Sequence, residues 1–321
     1  MKKIITIILA IVCIAALTTA CFVGCSSSSK PIIGIIQFGT HGSLNNCYEG
    51  ILQGLKEGGI NLDDYTIEYV NSNFTAEVSG TQAQKLVNEK AKVIIAIATP
   101  SAIQAATAAS GTGIPVVYDA VTDVSTVKSF ENITGVCDLC PFADTLSLAV
   151  AMLNKTDLKI GVLMSTEEDS DQMQLASLKE AAKAYSGMSI VDKTVADITT
   201  ITTATTSLLN EGVDCLVNLL DNTIVGKLNE ILSITNEKGI PVFGSEIEQV
   251  KNGCLAAASI DYITVGKLAG LQAASILKGT PISDVKAQTM EGNSTPYYNS
   301  EAATKLNITV PTYTGLIDVK A

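Results

Sequence analysis

The stretch Val93-Ile94-Ile95-Ala96-Ile97-Ala98-Thr99-Pro100-Ser101-Ala102 decides the fold class. Its first half is a short apolar run rich in β-branched residues, the composition of a central parallel strand covered on both faces. Its second half reads as a helix start, with Thr99 as N-cap and Pro100 at the first helical position, where the missing proline N–H would have had no partner in any case. A strand that stops at the first turn of a helix aims that helix's free N–H groups, and the positive end of its dipole, above the carboxyl edge of the sheet. Such a junction makes a small carboxylate site without a cationic side chain. The plainer reading is a well-capped strand-to-helix turn and nothing more.

The same alternation continues on both sides of this junction. Ile32 to Phe38 reads as a strand, and Leu44 to Gly58 as a helix with Leu44, Cys47, Tyr48, Ile51 and Leu55 on one face. Thr66 to Val70 is the next strand, Ala76 to Lys90 the next helix, and Val116 to Tyr118 a strand after the turn Gly113-Ile114-Pro115. This order calls for a parallel sheet with right-handed crossovers. After Ile133 to Asp138 the rhythm restarts: strands at Leu158 to Met164, Ile190 to Val195, Cys215 to Leu220 and Val242 to Gly244 alternate with helices near 142–154, 168–186, 199–211 and 223–238. Two similar halves in series make an α/β chain of two Rossmann-like, doubly wound parallel-sheet lobes. Ala256 to Ile260, a helix from Thr264 to Leu277 and a tail with one short helix and an extended end complete it.

The 321 residues suffice for about two domains of ~150 residues. Lys2-Lys3, the apolar run Ile4 to Leu17 and the small residues after it form a secretory signal, not a fold element. Gly24, Cys25 and the polar stretch Ser26 to Lys30 resemble a bacterial lipoprotein signal and its tether, with Cys25 lipidated and Cys21 the rival. A transmembrane anchor is the lesser reading, because the run is shorter than the ~20 residues a span needs. The net charge is −11 and no lysine-rich patch follows Lys3, so no nucleic-acid footprint exists. Outside the export segment, Cys47, Cys137, Cys140, Cys215 and Cys254 are odd in number and scattered, hence no disulfide framework.

His41 is the single histidine, which leaves no histidine-based metal cluster and no Ser-His-Asp arrangement. Cys137-Asp138-Leu139-Cys140 has C-x-x-C spacing but no second pair, and neither a Gly-x-Gly-x-x-Gly nor a Walker A sequence occurs. The expectation is a protein without metal, cofactor or enzymatic activity. Arginine and tryptophan are also absent, so no guanidinium clamps a ligand carboxylate. In open α/β sheets the ligand lies beyond the carboxyl ends of the strands. The residues there are Gln37, Phe38 and His41; Thr99 and Ser101; Thr122 and Asp123; Thr166 and Glu167; Asp221 and Asn222; Ser245 and Glu246. Hydroxyl and amide donors dominate the first half and carboxylates the second, a division that suits a zwitterion. Its carboxylate would lie near Thr99, Ser101 and Thr122, its ammonium near Asp221.

Gly34-Ile35-Ile36-Gln37-Phe38, Ala96-Ile97-Ala98-Thr99-Pro100-Ser101-Ala102, Ala120-Val121-Thr122-Asp123, Ile133-Thr134-Gly135-Val136, Asp221-Asn222-Thr223 and Gly244-Ser245-Glu246 together resemble the tryptophan/tyrosine-type solute-binding lipoproteins of ABC importers. Val250 to Gly253, Ile260-Asp261-Tyr262 and Gly266-Lys267 extend the likeness over essentially the whole mature chain. The resemblance implies a type I periplasmic-binding-protein fold, its two lobes joined by a three-segment hinge. It further implies a monomer that binds an amino acid, often aromatic, in the cleft and delivers it to a membrane permease. The division expected is 1–25 signal, 26–30 tether, 31–138 with 258–284 as first lobe, and 139–257 with 285–321 as second. In the family the loop after the first strand commonly reads Glu-His-Pro-Ala-Leu-Asp, whereas here it is Thr40-His41-Gly42-Ser43-Leu44-Asn45. His41 and Leu44 are kept as site residues; both carboxylates and the proline are gone. The rival functions are a sensor domain for a membrane signalling partner and a secreted α/β enzyme whose base would have to be a carboxylate.

Overall fold

A computed structural model describes residues 30–290 and 294–321; the expected signal, Cys21 and Cys25 lie outside the described residues. The first lobe is built on β1 (Ile32–Gln37), β2 (Thr66–Asn71), β3 (Val93–Ile97), β4 (Val116–Val121) and β5 (Ile133–Asp138). The second holds β6 (Lys159–Ser165), β7 (Ser189–Val195), β8 (Cys215–Val217), β9 (Val242–Phe243) and β10 (Ala256–Ser259). Three short strands follow: β11 (Gln288–Met290), β12 (Thr295–Tyr298) and β13 (Ile317–Asp318). The sheets run β11-β5-β4-β3-β1-β2 and β13-β12-β10-β9-β8-β6-β7. Each therefore winds both ways from one point, between β1 and β3 or between β6 and β8, the doubly wound pattern that opens a crevice at the carboxyl ends.

The alternation of side chains across β1 and β3 explains their unbroken apolar composition. Ile33, Ile35 and Ile95 point to one face, against Leu44 and Ile51 of helix Gly42–Glu57 and Val265 of helix Tyr262–Leu277. Ile36, Ile94 and Ala96 point to the other, against Leu86 of helix Ala76–Asn88 and Ala102 of helix Thr99–Ala109. Each fully buried isoleucine contributes roughly 1.5–3 kcal/mol. Helices Gly42–Glu57 and Tyr262–Leu277 pack backbone to backbone: a Cβ on Gly50 would stand 2.2 Å from the Ile263 carbonyl oxygen, and one on Gly266 2.1 Å from that of Cys47. This close pairing fixes both helix starts, and with them His41, Ser43 and Tyr262, at the sheet edge.

Several local expectations change. Thr99 is the first helical residue rather than the N-cap; Ala98 holds the cap position at φ 78° and ψ 154°. The single helix expected over 223–238 is two, Asn222–Val225 and Leu228–Glu237, parted at Gly226-Lys227. The lobe boundaries expected at 258 and 285 also move. Ala258 and Ser259 pair antiparallel with β12 in the second sheet, while Gln288 to Met290 pair with β5 in the first. The polar edge strand β11 has no apolar alternation to announce it.

Candidate functional site

The loops at the carboxyl ends of both sheets meet around a narrow inner cavity of ≈ 20 Å³, with a wider cleft outside it. From the first lobe it is walled by His41, Ser43, Leu44, Ala120, Thr122 and Tyr262, from the second by Leu220, Asn222, Val225, Glu246 and Gln249, with Asp138 at the crossover after β5. The two sides touch: His41 bonds to Asn222, and Asn46 Nδ2 donates to Glu248 Oε1 at 3.2 Å. The lobes are closed on each other.

His41 holds the middle of this wall. Asn222 Nδ2 donates to Glu168 Oε2 at 2.8 Å, which turns Asn222 Oδ1 toward His41. His41 Nε2–H then donates to that oxygen at 2.8 Å, leaving Nδ1 with a lone pair. Burial brings the His41 pKa down to about 4, against the opposing pull of the Asn222 bond and the Glu248 charge, although 12 % of the side chain stays exposed. The ring is thus neutral at physiological pH. Nδ1 has no hydrogen-bond partner among the described residues, and Glu246 Oε1 stands 3.8 Å from it. The unpartnered His41 Nδ1 and the weakly held Glu246 carboxyl face one gap.

The rest of the wall has the same imbalance. Glu246 is 2 % exposed, and burial, helped by the charges of Glu248 and Asp138, pushes its carboxyl up to about 8 against a long bond from Gln249. Asp138 is likewise raised by burial, opposed by the hydroxyls of Tyr262 and Thr122, each donating at 2.9 Å. Behind the wall, burial and the nearby Asp221 charge raise Glu168 well above its ordinary range, and burial raises Asp119 to about 8. Among the described residues no lysine lines this cavity. A space ringed by buried carboxyls without a cation favours a ligand that brings one.

Two backbone distortions border the site. Ala98 at φ 78° and Ala120 at φ 53° end β3 and β4, the second at a bulge between Asp119 and Val121. Each costs about 1–3 kcal/mol and is held by its surroundings. The Ala98 N–H donates to the Asp119 carbonyl at 2.9 Å, tying the two together.

Of the residues expected at the site, His41, Leu44, Thr122, Asn222 and Glu246 line the inner cavity. Thr166 and Glu167 line a wider outer cleft with Phe74, Asp197 and Lys227. The others are occupied elsewhere. Gln37 Nε2 is bonded to the Gly39 carbonyl and to Asn45 Oδ1, and Phe38 sits in the first core. Thr99 Oγ1 accepts from the Thr122 N–H at 3.3 Å, and Ser101 Oγ meets Ser79 Oγ at 3.2 Å, toward the neighbouring helix. Asp123 accepts from the nearby Ser125 N–H, and the Ser245 hydroxyl donates to the Leu219 carbonyl beside β8. Asp221 accepts from the Ser165 N–H and hydroxyl and from the N–H groups of Thr223 and Ile224, so its oxygens are fully engaged in capping and clamping. Ser43, Asp138, Gln249 and Tyr262 are among the lining residues missed. Asp138 ends a strand just as the chosen residues do, and Tyr262 follows Asp261, which caps its helix.

A model of the family of ABC transporter substrate binding proteins matches residues 32–314. A tyrosine-binding protein of Clostridioides difficile (strain R20291) is 31 % identical over 309 residues, 90 % of this chain and 88 % of that one. An ABC domain of Streptococcus pneumoniae in complex with L-Trp superposes with a TM-score of 0.83 at 28 % identity, over 90 % of this chain and 100 % of the other. A ligand-free, open substrate-binding protein with adhesive properties from Clostridium difficile gives 0.66 at 26 % identity, over 90 % and 99 %. Such proteins bind solutes and are not enzymes. The match over nearly the whole described chain, the paired doubly wound lobes and the cavity between them agree: this chain belongs to the ABC transporter substrate-binding protein family.

Proposed function

We propose that the protein is an extracytoplasmic, lipid-anchored receptor that binds an aromatic L-amino acid between its lobes and delivers it to an ABC permease. The observation that carries this reading is that His41 Nδ1, without a partner among the described residues, and Glu246 Oε1, held only by a long bond from Gln249, face each other across 3.8 Å. An α-ammonium group placed there donates a hydrogen bond to each, and its charge draws the Glu246 carboxyl into its ionised form. The carboxylate falls to the start of helix Gly42–Glu57, where Ser43 Oγ is buried without a partner among the described residues and the first turn has no acidic side chain. Helix N-termini favour anions for the reasons given for the strand-to-helix junction. This moves the acid group from Thr99 and Ser101 to Ser43, and the ammonium from Asp221 to Glu246. Leu44, Leu220 and Val225 leave an apolar side for the ligand's side chain. The names of the relatives, a tyrosine-binding protein and an L-Trp complex, support an aromatic one.

Delivery works by hinge closure: the ligand bridges the lobes and the permease receives the closed form. Gly24 before Cys25 and the serine tether after it support anchoring at Cys25, and Cys25→Ala should free the protein from membranes. A thermal-shift screen of amino acids and nucleosides tests the ligand class. A ligand at about 100 times its Kd adds about 2.7 kcal/mol of stability. Shifts with L-tyrosine, L-tryptophan or L-phenylalanine are expected; no shift with any amino acid refutes the reading.

A further inference from the structure

We propose that Phe74 is the gate between the inner cavity and the outer cleft, and that it sets how fast a bound amino acid is released. Phe74 stands in the turn after β2, where Asn73 and Phe74 take φ 50° and 61° in succession. A bulky side chain with positive φ is an outlier that the surroundings must hold in place. Here they do so: the Phe74 N–H donates to the Phe38 carbonyl at 2.8 Å, and the Asn73 N–H to Asn71 Oδ1 at 2.9 Å.

The ring is wedged from both lobes. It lies parallel to His41, centroids 6.3 Å apart and planes 5° apart, and meets Phe38 edge-on at 6.0 Å. A Cβ on Gly39 would stand 2.1 Å from the ring, and one on Gly226, across the cleft, 3.2 Å from its tip. A glycine on each lobe makes the room. His41 and Asn222 line the inner cavity, while Phe74, Thr223 and Gly226 line the outer cleft. The wall between the two spaces therefore has two leaves, the bond from His41 to Asn222 inside and the Phe74 ring outside. A ring that served only the core would not border the open cleft on one face and contact the opposite lobe. With this ring in place a ligand leaves only when the lobes part or the ring turns aside; without it the wall is one hydrogen bond thick.

The proposal rests on the reading of the inner cavity as an amino-acid site, and the test separates the two. Phe74→Gly removes the ring and suits the positive φ; Phe74→Leu keeps part of the plug and is read in the same way if the glycine variant does not fold. The first measurement is the dissociation of labelled L-tyrosine from the mature protein in a chase experiment. Release should quicken roughly tenfold or more in Phe74→Gly, since differences among related complexes fall mainly in dissociation rates. The second uses His41 as the single histidine, followed by NMR across a pH titration. Its ring faces Asn222, Glu246 and Glu248; in the parent protein it should stay neutral down to about pH 4. In Phe74→Gly its midpoint should move toward the free value of about 6.5. Unchanged release of L-tyrosine overturns the gate. If the parent holds no L-tyrosine, the chase is run with whichever amino acid it does hold; if it holds none, the amino-acid reading falls and the titration alone decides: a raised midpoint keeps Phe74 as the barrier, an unmoved one overturns it.

Discussion

Replacing Glu246 by glutamine should stabilise the ligand-free protein and weaken its ligand at the same time. The carboxyl is 2 % exposed and has no cation beside it among the described residues, and burial raises its pKa from 4.5 to about 8. Between those values the folded chain keeps a proton that the unfolded chain has released, so the stability of the ligand-free form falls as pH rises through the window. A carboxyl kept neutral up to about pH 8 bounds the cost of charging it at about 5 kcal/mol. Parting of the lobes and entry of water lower that cost, and we expect Glu246→Gln to add about 1–2 kcal/mol at pH 8, or about 2–6 °C in Tm. At pH 5, only about half a unit above the unfolded value of 4.5, most of the gain should be gone. Affinity moves the other way. An ammonium group pairs with the ionised form, so binding releases the proton and should tighten from pH 5 to pH 8; loss of a charge-assisted acceptor costs about 1.5–3 kcal/mol, roughly 10- to 150-fold in Kd. Differential scanning at the two pH values and calorimetry with L-tyrosine read both effects. A variant that melts lower at pH 8, or that binds L-tyrosine as tightly as the parent, would refute this account of Glu246.

Ser43→Ala should narrow the preference for L-tyrosine over its carboxamide, by up to about 1.5–3 kcal/mol in calorimetry; an intact preference would put the acid group elsewhere. Asp221→Ala removes two helix-capping bonds and the clamp on Ser165, so stability should drop by about 2 kcal/mol or more while affinity stays within about threefold. A tenfold loss of affinity at an unchanged Tm would return the ammonium to Asp221. Ala98→Gly should raise stability in urea titrations by about 1 kcal/mol through relief of its φ of 78°, and a loss would show that the methyl group is needed there.

Much of the fold was legible because buried parallel strands announce themselves. The runs at 32–38 and 93–97 differ from β1 and β3 by a residue at most, and both lobes follow from their repetition. The elements that escaped were those whose pairing, not composition, makes them strands: β11 with polar Gln288 and Thr289, and β12, which contains Pro296 and is paired through tertiary contacts. Position after a strand picked out His41, Asn222 and Glu246, which line the cavity, but could not tell a carboxyl that faces the cavity from one engaged in the fold. Asp221 and Glu246 look alike in sequence. One accepts bonds from Ser165, Thr223 and Ile224, and the other faces an open gap. Thr99 was misread for a related reason: the strained Ala98 takes the cap position, which a residue-type preference for threonine does not foresee. Ser43, to which we assign the acid group, was passed over because that group was expected on helix Thr99–Ala109, whereas it is helix Gly42–Glu57 that begins beside the cavity.

The central claim is that the Glu246 carboxyl and His41 Nδ1 hold the ligand's ammonium group. Calorimetry at pH 8 with L-tyrosine and with desaminotyrosine, which keeps the ring and the carboxylate but lacks the amine, tests it most directly. Two charge-assisted bonds of about 1.5–3 kcal/mol each predict that the desamino compound binds at least about 100-fold more weakly. Equal affinity for the two would contradict it.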